Sequence, residues 1–171
     1  MGSARVMLCL ASGLLGLSAE PGATQQQQGS LATYRNERHG FSFDYPARLF
    51  APERPSEVAD GNVFVSPDGN ARLLAGALRN TEGINLRAYR ALVLQRSYPD
   101  AAIDYAPVRG TWFVLSGTRD GQMFYERVTF TCGGQLINSW AMLYPASERR
   151  VYDRVVEQVA RSYRAGTASC G

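Results

Sequence analysis

The chain contains no lysine: all 18 of its basic residues are arginine, set against 15 acidic ones for a net charge of +3. That absence excludes Schiff-base and pyridoxal-phosphate chemistry, the phosphate-loop lysine, the kinase strand lysine and serine–lysine dyads. Each of these needs an amine that can lose its proton. Histidine is almost as scarce, with His39 alone, so metal sites built on two histidines are excluded as well. No apolar run reaches the roughly 20 residues that a spanning helix needs. Cationic residues are not gathered into a basic stripe, which argues against nucleic acid as a partner.

What is present begins at the N-terminus. Arg5 precedes an apolar or small stretch from Val6 to Leu17, and Leu17-Ser18-Ala19 places small residues before Glu20. This three-part layout is that of a secretory signal peptide over residues 1–19, cut between Ala19 and Glu20. Cys9 lies inside the apolar run and does not end a lipoprotein-type box. Cleavage leaves Cys132 and Cys170, an even pair, and an oxidising compartment favours one disulfide between them. The expected product is exported, periplasmic or secreted, with no integral membrane span after processing.

Residues 20–33, with Gln25 to Gln28 in a row, have too little apolar surface to pack and read as a disordered spacer. The folded domain is expected over residues 34–164, with residues 165–171 as a tail. Phe41, Phe43 and Tyr45 alternate with polar residues up to Pro46, the period of a strand. Pro46, Pro52 and Pro55 make a long loop. Two apolar runs, Asn62 to Ser66 and Ala71 to Leu78, are joined by Pro67-Asp68-Gly69-Asn70 and predict a hairpin. A second hairpin is predicted around Asp120-Gly121, joining Thr111 to Arg119 with Gln122 to Cys132. Gln135 to Tyr144 is a further strand, and Ala101 to Val108 is extended.

Two helices are expected. Asn85 is an N-cap for Leu86, Tyr89, Leu92 and Val93 at helical spacing, ended by Pro99. Ser147 caps a second helix whose apolar stripe is Val151, Val155, Val156, Val159, Ala160 and Tyr163, with Gly166 as its end. In the late strands both faces are apolar: Phe124, Val128 and Phe130 against Met123 and Tyr125, then Leu136, Trp140 and Met142 against Ile137, Ala141 and Leu143. Both faces need cover. The expected architecture is therefore α+β, an antiparallel sheet of about six or seven strands with a helix on each side.

Gly40-Phe41-Ser42-Phe43-Asp44-Tyr45-Pro46 resembles the opening strand of the PsbP-like superfamily, and Ser162-Tyr163-Arg164 is similar to the way its closing helix ends. The resemblance covers nearly the whole domain and implies an α/β/α sandwich that acts by binding proteins. It implies no catalytic motif.

Candidate chemistry is sparse. His39 sits beside Arg38 with Asp44 five residues on, the context of a solvated loop histidine. A hydrolase or thiol enzyme using His39 with Cys132 or a serine is the competing reading, although no G-x-S-x-G elbow is present. Asp104 and Glu126 are a candidate carboxylate pair, with Arg109 and Arg127 as the simpler salt-bridge partners. Asp60-Gly61-Asn62 and Asp68-Gly69-Asn70 are too sparse for calcium and read as turns. Arg87, Arg90 and Arg96 are the candidate partner surface, a basic helix face meeting an acidic partner or anionic lipid headgroups. The expectation is a non-enzymatic exported domain, without a cofactor or metal, that binds a protein or envelope partner. A small-ligand carrier with a pocket between helix and sheet is the third reading.

Overall fold

A computed structural model describes residues 30–53 and 60–170. The signal segment with Arg5, Cys9 and the Ala19–Glu20 cut, the glutamine run and Pro55 lie outside the described residues.

The strands are β1 (Leu31–Arg35), β2 (Ser42–Pro46), β3 (Ala51–Pro52), β4 (Gly61–Val65), β5 (Arg72–Arg79), β6 (Ala102–Tyr105), β7 (Val108–Arg109), β8 (Trp112–Arg119), β9 (Gln122–Thr131) and β10 (Leu136–Pro145). The helices are α1 (Leu86–Ser97), between β5 and β6, and α2 (Arg149–Ser162), after β10. β1 and β2 form a separate antiparallel ribbon. All the remaining strands join one antiparallel sheet in the order β3-β4-β5-β10-β9-β8-β6, with β7 also on β8. This is the α+β architecture expected from the sequence. β1 starts at Leu31, inside the stretch expected as spacer, because Tyr34 can bury its ring against Phe41, Phe43 and Phe64.

Both expected hairpins form. Asp120 and Gly121 take φ of 51° and 77°, the paired positive angles that suit a two-residue turn to the strand twist. At the other turn Asp68 accepts from the Asn70 amide and from the Ser66 hydroxyl, which closes the loop over Gly69.

Strand alternation sorts the core into two clusters. Leu73, Ala75, Leu136, Trp140 and Met142 project from one face and pack with Phe41, Phe43, Phe64 and α2. Phe113, Leu115, Phe124, Val128, Phe130 and Ile137 project from the other and pack with α1. Burying each of these large side chains stabilises the fold by about 1.5–3 kcal/mol. The helix on each side follows from that two-faced apolar pattern.

The helix starts differ from expectation at one end of the chain. Asn85 caps α1 as expected, accepting from the Ala88 amide at 3.0 Å. Ser147 does not cap α2. It lies in a 3-10 turn over Ala146–Glu148, and Glu148 takes the N-cap position without a side-chain cap bond. Tyr152, not Val151, joins Val155, Val156 and Val159 on the buried stripe; Val151 is half exposed.

Gly166 does not end α2, which stops at Ser162. Its role is close approach: a Cβ there would lie 2.2 Å from the His39 carbonyl oxygen. The tail crosses at that point, with Arg164 bridged to Ser42, the Gly166 amide donating to Asn138 and the Ala168 amide donating to His39. Cys132 and Cys170 are joined by a disulfide.

Candidate functional site

Two constellations gather functional side chains. The first surrounds His39, which is only 2% exposed although a solvated loop residue was expected. Its main chain is drawn in by Asn36, whose side chain accepts the His39 amide at 2.8 Å. Nε2 is 2.7 Å from Asp60 Oδ1 and Nδ1 is 2.8 Å from the Ser169 hydroxyl. Arg38 also reaches Asp60, at 2.9 Å. The His39 hydrogen bond, opposed by partial burial and aided by the Arg38 charge, holds the Asp60 carboxyl below its ordinary value.

The partners therefore differ from the expected ones. Asp44 instead accepts from Thr33 at 2.7 Å, across the β1–β2 ribbon. Asp60, read as a turn residue, supplies the carboxylate, and Ser169 comes from the far end of the chain. Cys132 is spent in its disulfide and cannot be a thiol nucleophile, which removes the thiol form of the enzyme reading.

The second constellation lies on the α1 face of the sheet. α1 covers β8 and β9 but leaves the neighbouring half, over β4, β5 and β10, open. Gly61, Val63, Leu74, Gly76, Ser139, Ala141 and Leu143 share that face by alternation. They line a groove of about 670 Å³ that also takes in Tyr98 and Glu126. The groove is wide because four of those seven positions carry glycine, serine or alanine.

Glu126 is the chemical centre of the groove. Tyr98, the C-cap of α1, donates its hydroxyl to Glu126 Oε2 at 2.7 Å while its ring stacks on Phe124 at 4.0 Å. The other carboxylate oxygen has no hydrogen-bond partner among the described residues. Burial pushes the Glu126 carboxyl above its ordinary value, and the Tyr98 hydrogen bond only partly opposes this. Burial and the Glu126 charge together raise the Tyr98 hydroxyl far above its usual range.

Asp104 is not its partner. β8 stands between β6 and β9, so Glu126 faces Leu115 on one side and Ala141 on the other. Arg127 points to the opposite face, where its guanidinium lies 4.7 Å over the Trp112 ring. No motif marks the Tyr98–Glu126 pair. Its only local signal is an acid at an apolar-face position of β9.

The candidate partner surface on α1 divides. Arg87 and Arg90 share a concavity with Val108 and Gly110. Arg96 follows Arg87 by nine residues, which is two and a half turns at 3.6 residues per turn, and so lies on the opposite side of the helix. The three do not form a single face.

Among the described residues, no helix is long and apolar enough to cross a membrane, and no group of three or more His, Cys, Asp or Glu is placed to hold a metal ion.

No family model matches the chain, and no curated protein sequence matches it. Solved structures do. The chain is similar to the cyanobacterial PsbP, CyanoP, of Synechocystis, with a TM-score of 0.59 at 17% identity over 87% of this chain and 98% of that one. It is also similar to the Ran-binding protein Mog1p of Saccharomyces cerevisiae, with a TM-score of 0.54 at 13% identity over 82% of this chain and 98% of that one. A Mog1 point mutant gives 0.56 at 11% identity with the same coverage. At these identities the likeness establishes the fold: this chain has the fold shared by PsbP and Mog1.

Proposed function

We propose that the chain is an exported, non-catalytic domain that holds a segment of a protein partner in the groove on its open half-sheet. One observation carries this reading: an apolar trough floored by Val63, Leu74, Ala141 and Leu143 contains a carboxylate, Glu126, that has no cationic partner among the described residues. The complementary occupant is an apolar segment bearing one basic side chain. Ion pairing on binding would favour the charged form of Glu126 and offset the burial that disfavours it. Glu53 at the rim is already paired with Arg72 at 2.9 Å, which leaves Glu126 as the recognition charge. The Ran-binding role of Mog1p is consistent with a protein partner for this fold. Export rests on the signal-like N-terminus and on the cysteine pair.

The test places a photo-crosslinking residue at Ala141 and irradiates the protein in its native envelope. The crosslinked partner is then purified and its affinity measured. Glu126→Gln is expected to weaken binding about tenfold, equivalent to 1.4 kcal/mol. No adduct at Ala141, or an affinity unchanged in Glu126→Gln, would remove the groove from the reading.

The continuous Ser169–His39–Asp60 hydrogen-bond chain favours a second reading, acyl-transfer catalysis with Ser169 as nucleophile. Against it stand the burial of His39, which denies substrate and leaving group access to the base, and the use of Nδ1 toward serine and Nε2 toward aspartate, opposite to the arrangement in the familiar triad. The constellation is better accounted for as a latch on the C-terminal tail. Labelling of Ser169 by a fluorophosphonate, lost in His39→Ala, would reinstate the enzyme reading.

A further inference from the structure

On the α2 face, away from the groove, four side-chain polar atoms are buried without a hydrogen-bond partner: Arg127 Nε, Thr129 Oγ1, Trp140 Nε1 and the Tyr163 hydroxyl. They are neighbours. Arg127 and Trp140 are directly opposed in the β9–β10 register, and Thr129 lies two residues beyond Arg127 on the same face. The Trp140 and Tyr163 rings are 6.1 Å apart between centroids, and the Arg127 charge acts on the Tyr163 hydroxyl. Trp140 is fully buried and Tyr163 is 7% exposed, so these polar tips are not in solvent.

The indole and guanidinium N–H groups can only donate, and both hydroxyls are free to do so. No carboxylate pairs with Arg127 among the described residues. Its neighbour is the Trp112 ring, which orients a guanidinium but accepts little from it. Arg164 donates to the Arg161 and Tyr163 carbonyls, so the negative end of the α2 dipole beside the cluster is already covered. The result is a concentration of donors beside one positive charge, with no acceptor for these four atoms among the described residues. Buried polar groups are otherwise almost always satisfied.

We propose that Arg127, Thr129, Trp140 and Tyr163 form a receptor for one carboxylate group of a small organic acid. A carboxylate matches the set in charge, since one guanidinium faces one anion, whereas a phosphate dianion would leave negative charge uncompensated. It also matches in shape, because two coplanar oxygens suit parallel N–H donors. The depth of Trp140 selects a slender molecule, and the half-buried Arg127 leaves the entry on the guanidinium side. Trapped water would satisfy the donors singly but leave the charge unpaired.

The experiment follows the Trp140 indole N–H resonance by NMR in the full folded protein, with the second tryptophan, Trp112, as an internal reference. Acetate is titrated against chloride at equal ionic strength. The expected result is a saturable Trp140 shift with acetate alone, half-complete at about 1 mM or below. Arg127→Gln is expected to weaken it at least tenfold, and Tyr163→Phe, which keeps the ring and removes the hydroxyl, to weaken it less. A peptide with a free C-terminal carboxylate, run in parallel, should fail to saturate if the ligand is a small acid; saturation by the peptide alone would overturn that source. An absent shift, an equal shift with chloride, or acetate binding unchanged in Arg127→Gln would overturn the receptor and leave the donors to water.

Discussion

Removing the Cys132–Cys170 bond tests how the end of the chain is held. Cys132 closes β9 and Cys170 lies in the tail, so the bond spans a sequence separation of 38 that contains all of β10 and α2. In the chain-entropy description, closing a loop of that size removes unfolded-state freedom equivalent to about 4 kcal/mol. The folded tail keeps its other anchors without the bond: the Ser169–His39 contact, the Gly166–Asn138 pair and the Ala168–His39 main-chain bond. The loss therefore falls on the unfolded ensemble rather than on native packing. Cys132 sits at φ 57°, a left-handed conformation that serine bears at similar cost, so the strain cancels between C132S/C170S and the parent. For a chain of this size each kcal/mol moves Tm by about 2–4 °C, which sets an expected fall of roughly 8–16 °C. Thermal unfolding by circular dichroism, with and without a reductant, measures it. A fall of less than about 2 °C would refute the reasoning, as would non-reducing peptide maps without a Cys132–Cys170 linked peptide.

Asp60 governs an acid limb of stability. Its folded pKa is depressed, chiefly by the His39 hydrogen bond, so its contribution is complete above the ordinary value of 3.8 and is lost as pH falls through the lowered folded value. Asp60→Asn should flatten this part of the Tm profile between pH 5 and 2, and an unchanged acid limb would count against the latch. Gly166→Ala should destabilise by about 1–3 kcal/mol in urea unfolding, because its Cβ meets main-chain carbonyl rather than a movable side chain. Wild-type stability in that variant would mean the tail crosses elsewhere.

Much of the fold was legible because it is written in short-range pattern. Alternation along Gln122 to Thr131 and Leu136 to Tyr144 announced a sheet that needs cover on both faces, and α1 and α2 supply it. Asp120-Gly121 and Pro67-Asp68-Gly69-Asn70 announced hairpins through local backbone chemistry. The cysteine pairing was legible because only Cys132 and Cys170 lie in the expected domain and its tail. Ser147 misled because a cap depends on where the chain leaves the preceding strand, and Pro145 starts a 3-10 turn there. Arg87, Arg90 and Arg96 read as one basic helix face in the sequence, whereas nine residues of rotation about the helix axis set Arg96 opposite Arg87.

The candidate sites were hardly legible. His39 meets an aspartate 21 residues away and a serine 130 residues away, and no spacing rule connects them. Glu126 and Tyr98 meet because α1 ends over β9, a matter of how a helix lies across a sheet. Arg127 and Trp140 are brought face to face by register, which the hydrophobic pattern constrains but does not number.

By itself the sequence determined which chemistries are excluded, since lysine and a second histidine cannot be supplied by folding. It also determined the type and order of most elements, because periods of 2 and 3.6 are local properties of the backbone. Tertiary structure alone decided which half of each face stays open and which polar groups share a site. Those outcomes depend on non-local pairing, above all that of β5 with β10, through which residues 57 to 71 positions apart come to share one surface.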